Sequence, residues 1–259
     1  MNAPLSRQAA NAAYGWGVPQ DWTAALRLLD EAAKAGEKGS ERQHALLTQM
    51  PLAELLTPPP PQRLHASARI AVAPGFAPPG VAEWIIDQAR DRLEAASVND
   101  AMGGAVRTAT ACAIGPERRD LVTAVLQERA ARLIGAPVAC HEPPNVIHYA
   151  PGQEFRLHAD FVEPSVRAFQ EELRTLGQRV GTFVTYLNED FDGAETEFPQ
   201  LGIRYRGRPG DAIFWANVMP DGSPDYRTGH QALPPTRGEK WVLSQWIRAR
   251  PFPLGTPKG

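Results

Sequence analysis

The stretch YAPGQEFRLHADF, Tyr149 to Phe161, places His158 and Asp160 two residues apart among mixed apolar and polar side chains. On a strand, residues two apart share a face, so an imidazole and a carboxylate would look into the same space. A buried carboxylate is costly unless something pairs with it, and a metal ion does so. Two ligands are too few. Of the six histidines, His44 falls in a helical stretch and His65 beside a proline-rich one. His230, in a late β-rich region, completes a set of two imidazoles and one carboxylate. Such a set occupies one face of Fe(II) and leaves positions open for a chelating cosubstrate and dioxygen. Lys240 follows His230 by ten residues, across PPTRGE. A hairpin there would bring His230 and Lys240 onto neighbouring strands. An ammonium facing inward needs a counter-anion, which a dicarboxylic acid such as 2-oxoglutarate supplies.

These residues need a frame to hold them. From Asn145 onward short β-rich segments recur: NVIHYA, EFRLHADF, GTFVTYLN, GIRYRG, DAIFWANV, GHQALPP and KWVLSQWIR. Turns with Gly, Pro or Asp separate most of them, as in an all-β barrel or sandwich. Strand alternation points His148 away from Tyr149, as a structural residue. Residues Pro164 to Gln178 have helical character and interrupt the strands directly after the His–Asp pair, where a lid could be mounted. Upstream, RIAVAPGFAP reads as a strand and RTATACAI alternates like one. PPGVAEWIIDQARDRLEAA and ERRDLVTAVLQERAARLIG read as amphipathic helices. In DWTAALRLLDEAAKAG the apolar positions Trp22, Ala25, Leu26, Leu29, Ala32 and Ala33 follow a helical rhythm, with Asp21 placed to cap it and Gly36 to end it. A second helix is expected over Glu41 to Leu56. Four consecutive prolines, Pro58 to Pro61, then favour an extended spacer. The domains expected are a helical segment over 1–56, a proline-rich linker over 57–62, and the main domain over 63–259.

The N-terminal segment resembles a single Sel1-like repeat, a helical hairpin, through Gly15, Gly17, Val18, Asp21, Ala25, Ala32, Ala33 and Gly36. Repeat arrays need about three units to bury a core, so this one must pack on the rest of the chain or contact another protein. The remainder, from about Arg69 to Phe252, resembles the Fe(II)- and 2-oxoglutarate-dependent oxygenases of the prolyl 4-hydroxylase type. The matching residues run as YxxGQxFxxHxD from Tyr149, RxxTxxxYLN from Arg179, FDGAETEFP from Phe191, RPGDAIFW from Arg208, and GH with GEKWVLSQWIR at the end. Two positions depart from the family pattern. Phe155 stands where a second tyrosine is usual, and Ala194 where glycine is usual.

The resemblance implies a mainly β fold with flanking helices, a double-stranded β-helix or jelly-roll barrel, preceded by the short α-helical hairpin. It implies metal ligands His158, Asp160 and His230, cosubstrate-binding residues Tyr149, Thr196 and Lys240 with Trp246 nearby, and substrate-side positions Arg179 and Phe155. Fe(II) would be the metal, 2-oxoglutarate and O2 the cosubstrates, and L-ascorbate the reductant. The expected activity is hydroxylation of a proline residue in a peptide or protein, with succinate and CO2 as coproducts. Another side chain or a small molecule as target, or a helical interaction module on an inactive barrel, would be the alternatives. The acid-rich NEDFDGAETE lacks EF-hand spacing and reads as a solvated turn with Thr196 inward. A net charge of −2 over 259 residues, 43% of them hydrophobic, gives no nucleic-acid footprint. No apolar run approaches the roughly 20 residues of a membrane span, and no secretory signal block opens the chain. Two cysteines, Cys112 and Cys140, read as reduced thiols packed in a cytoplasmic protein.

Overall fold

A computed structural model describes residues 3–96, 98–99 and 105–253. From Gln62 onward the chain forms two antiparallel sheets. The larger runs, in order, Gln62–Arg63, Ile70–Ala73, Ala212–Ala216, Arg179–Tyr186, Lys240–Arg248, Asn145–Tyr149, Thr110–Ala113 and Glu94–Ala95. The smaller runs Ile203–Tyr205, Thr196–Phe198, His230–Ala232, Phe155–His158, Ala105–Arg107 and Val98–Asn99. A two-stranded ribbon, Phe191–Gly193 with Pro235–Gly238, stands beside them. Apolar side chains from both sheets, including Ile147, Ile213, Val242 and Phe198, meet in one core.

Alternation along the strands decides which residues see the site. From Lys240–Arg248, the side chains of Lys240, Val242, Ser244 and Trp246 line the pocket between the sheets. The intervening Trp241, Leu243 and Ile247 join the core on the other side of the sheet. The Leu121–Ile134 helix packs there. Asp120 caps it, accepting from the Thr123 amide at 2.8 Å, and Gly135 ends it at φ 72°.

The hairpin expected between His230 and Lys240 does not form. His230 pairs with His158 in the smaller sheet, and Lys240 pairs with Tyr149 in the larger. The two sit on opposite walls. Pro235–Gly238 pairs with Phe191–Gly193 instead of with the His230 strand, so the chain crosses between sheets where a hairpin would have doubled back. The helix expected through Ala96 stops at Ala89, because Glu94–Ala95 turns into an edge strand on Thr110–Ala111. The helix expected over Glu41 to Leu56 is two pieces, Ser40–Leu47 and Leu52–Leu55. Pro51 lacks an amide hydrogen and holds the preceding residue out of helical geometry.

The N-terminal helices Leu5–Tyr14 and Trp22–Lys34 pack side by side. Asp21 accepts from the Ala24 amide at 2.9 Å, and Ala25, Leu29 and Ala32 are buried. Their core does not stop at the prolines. Ala9, Leu29, Leu47 and Leu55 belong to the same cluster as Trp84, Val125, Leu126, Phe183 and Leu243. Contact is close: a Cβ on Gly80 would lie 2.6 Å from Leu46 Cδ2. Cys112 and Cys140 are both free and buried. No helix among the described residues is long and apolar enough to cross a membrane.

Candidate iron and 2-oxoglutarate site

His158 ends its strand, and Asp160 lies just beyond it, so the same-strand placement expected for the pair holds for His158 alone. The turn nonetheless brings both onto His230. Ligand atoms of His158, Asp160 and His230 all lie within 4.8 Å of one another. Nε2 of His158 is 3.7 Å from Asp160 Oδ1, and Nε2 of His230 is 3.5 Å from Oδ2. Each ring is held from behind. Nδ1 of His158 donates to the Arg156 carbonyl at 2.8 Å, and Nδ1 of His230 to the Thr228 carbonyl at 3.1 Å. A carbonyl only accepts, so Nδ1 carries the proton and Nε2 presents its lone pair inward.

The charges agree with that arrangement. Burial, with His230 beside it, holds the His158 imidazole well below its ordinary value, although Asp160 pulls the other way. Burial would raise the Asp160 carboxyl, but the two imidazoles and the Thr182 hydroxyl outweigh it and keep it below the usual carboxylate range. Thr182 donates to Asp160 Oδ2 at 2.7 Å and accepts from the Asn217 amide at 3.0 Å. Two imidazoles with Nε2 turned inward and a fixed carboxylate are the donor set that suits Fe(II), so the residues present fit the metal.

Across the pocket, the Lys240 side chain is 1% exposed. Its ammonium donates to the Ala194 carbonyl at 2.7 Å and lies 5.6 Å and 5.1 Å from the rings of Tyr149 and Tyr186. Burial pulls its pKa down to about 7, with Glu195 opposing. No carboxylate pairs with it directly among the described residues. Thr196 shares a hydrogen bond of 2.9 Å with the Tyr186 hydroxyl, which also donates to the Tyr205 carbonyl. Ala194, noted for standing where glycine is usual, has φ 58°. A left-handed alanine costs roughly 1–2 kcal/mol, and its carbonyl is the one that orients Lys240.

Tyr149, Thr196, Lys240, Trp246 and Phe155 all line this pocket together with the triad. Phe155 stacks on His158, with ring centroids 3.4 Å apart at 13°. Arg179 is placed beside it rather than in its wall, lying over the Trp246 ring at 4.3 Å. Glu142 holds it there, accepting from Arg179 Nε at 2.7 Å and Nη2 at 3.1 Å. Arg248 shares the same carboxylate and reaches Glu172 and the Gly177 carbonyl, so it is not part of the cosubstrate wall.

The excursion after Asp160 is a single turn, Arg167–Phe169, followed by the Gln170–Leu176 helix. Gln178 closes its base by accepting from the Val162 amide at 2.6 Å and donating to the Val162 carbonyl at 2.7 Å. Several site residues were not singled out from sequence: Thr182, Asn217, Trp215 and Glu142. Thr182 carried a signal, as the threonine of the RxxT motif. Glu142 carried none.

The likeness to known proteins agrees with this geometry. Residues 144–248 match the 2OG-Fe(II) oxygenase superfamily. Prolyl 4-hydroxylase subunit alpha-2 of Gallus gallus is 33% identical over 172 residues, covering 65% of this chain and 32% of that protein. The chain therefore spans about a third of the length of that relative. Prolyl 4-hydroxylase 13 of Arabidopsis thaliana is 28% identical over 208 residues, 73% of this chain and 74% of that protein. Among solved structures, the 2OG complex of a viral collagen prolyl hydroxylase from Paramecium Bursaria Chlorella virus-1 shares the fold. Its TM-score is 0.55 at 24% identity, over 70% of this chain and 97% of that one. Residues 144–248 thus resemble a 2OG-Fe(II) oxygenase domain, and the chain is similar to the prolyl 4-hydroxylases. Such oxygenases use Fe(II), 2-oxoglutarate and O2.

Proposed function

We propose that this chain is an Fe(II)- and 2-oxoglutarate-dependent dioxygenase that hydroxylates a proline residue in a peptide or protein, with succinate and CO2 as coproducts and L-ascorbate as reductant. The observation that carries the reading is the opposition of the triad to a buried ammonium that has no carboxylate partner among the described residues. His158, Asp160 and His230 hold the metal. Lys240, with Tyr149 and Thr196, holds the far carboxylate of the cosubstrate. Iron with bound cosubstrate supplies oxidative decarboxylation and oxygen transfer. The chain's own residues orient the reactants and keep water out, with Ile147, Val184 and Val242 as apolar walls.

Proline in an extended peptide offers a rigid ring and a backbone that can be held at several points beside a barrel. Arg179, stacked on Trp246 at the pocket edge, and Phe155 are the substrate-side residues of this reading. The relatives named as prolyl 4-hydroxylases support it. The N-terminal helices are in this reading a Sel1-like unit that caps the oxygenase domain, supported by the core they share with it. The test is incubation with Fe(II), 2-oxoglutarate and ascorbate, offering proline-containing peptides beside free proline. Addition of one oxygen to peptides alone supports peptidyl proline. Conversion of free proline with every peptide untouched overturns it.

A further inference from the structure

A line of hydrogen bonds, buried at its middle, runs from the N-terminal helices to Arg179. The Tyr14 hydroxyl, at the end of the first helix, donates to Gln127 Oε1 at 2.9 Å. The Gln127 amide donates to Gln245 Oε1 at 2.8 Å. The Gln245 amide donates to the Glu142 carbonyl, and the Glu142 carboxylate grips Arg179 through two nitrogens. Gln127 and Gln245 are 3% and 5% exposed. The Glu142 carbonyl only accepts, so the Gln245 NH2 must face it, the Gln127 NH2 must face Gln245 Oε1, and Gln127 Oε1 is left for the Tyr14 hydroxyl to satisfy. Buried polar groups of this kind are costly unless every member is satisfied. Neither glutamine faces the iron pocket. Gln245 lies on the helix side of its strand, between Ser244 and Trp246, which face the pocket.

We infer that Tyr14, Gln127 and Gln245 are positioning residues: through them the N-terminal helices set the place of Glu142, and so of Arg179 over Trp246. This rests on the reading of Arg179 as a substrate-side residue. The helices would then tune which substrates are accepted without touching the metal or the cosubstrate. A replacement of Tyr14 by phenylalanine is well suited to the test. It keeps the ring, which stacks on Trp16 at 4.5 Å and lies 5.4 Å from the Arg119 guanidinium, and removes only the first donor.

The experiment compares full-length wild type, Tyr14→Phe and Gln127→Leu by two readouts. The first is the NMR correlation of the Arg179 Nε–H in Zn(II)-loaded protein, assigned by its loss in Arg179→Lys. The second is steady-state kinetics with poly(L-proline) as probe. The inference expects the Arg179 correlation to shift in both variants. It expects KM for poly(L-proline) to rise about three- to tenfold, as for loss of one hydrogen bond. KM for 2-oxoglutarate and turnover without added substrate should not change. An unmoved Arg179 correlation, or an unchanged KM for the probe, overturns it. If wild type leaves poly(L-proline) unmodified, the peptidyl-proline reading has failed for this probe, and the Arg179 correlation alone then decides the relay.

Discussion

In the proposed reading, where Lys240 holds the far carboxylate of 2-oxoglutarate, cosubstrate binding is pH-dependent, and burial of the ammonium fixes the direction. Without an anion, burial brings its pKa from 10.5 down to about 7. The 2-oxoglutarate carboxylate prefers the charged form, so binding takes up a proton wherever the free group is neutral. Above the free pKa, the apparent Kd climbs about tenfold per pH unit until the higher pKa of the bound ammonium is reached. From about pH 7 to about pH 9 the neutral fraction goes from roughly half to nearly all, so Kd should rise about 50-fold. Lys240→Met has no proton to exchange. It should bind about 30-fold to several thousand-fold more weakly, since truncating one partner of a buried charge pair costs about 2–5 kcal/mol, and its Kd should be flat over the same range. Anaerobic calorimetry on Fe(II)-loaded protein, in buffers of different ionisation enthalpy, measures both Kd and proton uptake. A flat wild-type profile, or an equal slope in Lys240→Met, would refute the reasoning. The sign for stability follows from the same shift. The folded pKa lies below the unfolded one, so between them the unfolded chain binds more protons, and the ligand-free protein gains stability as pH rises above about 7.

His230→Ala should abolish metal-dependent consumption of 2-oxoglutarate with the fold retained, checked by metal analysis beside circular dichroism; turnover at the normal rate would mean the triad is misassigned. Thr182→Val removes the hydroxyl that holds Asp160 at 2.7 Å and should weaken metal affinity about 10- to 100-fold, read by competition with a chelating dye. Removing residues 1–62 should leave an insoluble or unfolded remainder, because it uncovers the core around Trp84, Val125 and Leu126; a soluble, cooperatively melting remainder would show that the helices are dispensable to the fold.

How much of this was legible depended on the distance over which each residue acts. The His158–Asp160 pair is local, and its meaning needed only a nearby third ligand. The strands from Asn145 onward showed in their alternation, and Lys240 was found by chemistry although its placement was misread. A hairpin between His230 and Lys240 was the shortest connection, but sheet pairing is decided by residues far apart in the chain. The strand of His230 found its partners at Phe155–His158 and Thr196–Phe198. Glu142 and Gln127 carried no signal of their role. A glutamine within ERRDLVTAVLQERAARLIG reads as part of a solvated face, and only the helices stacked on it make that face an interior one.

The strand Lys240–Arg248 shows why those two kinds of residue belong to one device. Its inward side chains, Lys240, Ser244 and Trp246, line the pocket. Its outward ones, Trp241, Leu243, Gln245 and Ile247, lock onto the helical layer. A one-residue slip would exchange the two sets, burying Gln245 in the iron pocket and turning Lys240 into the helix-side core. The register is held at both edges, by Asn145–Tyr149 on one side and Arg179–Tyr186 on the other. His158 and His230 are on the opposite sheet, whereas Asp160, just beyond the His158 strand, is tied to this one through Thr182, which pairs with Trp246. The helical layer thus backs the wall that carries Lys240 and Trp246, while the two histidines stand on the opposite sheet.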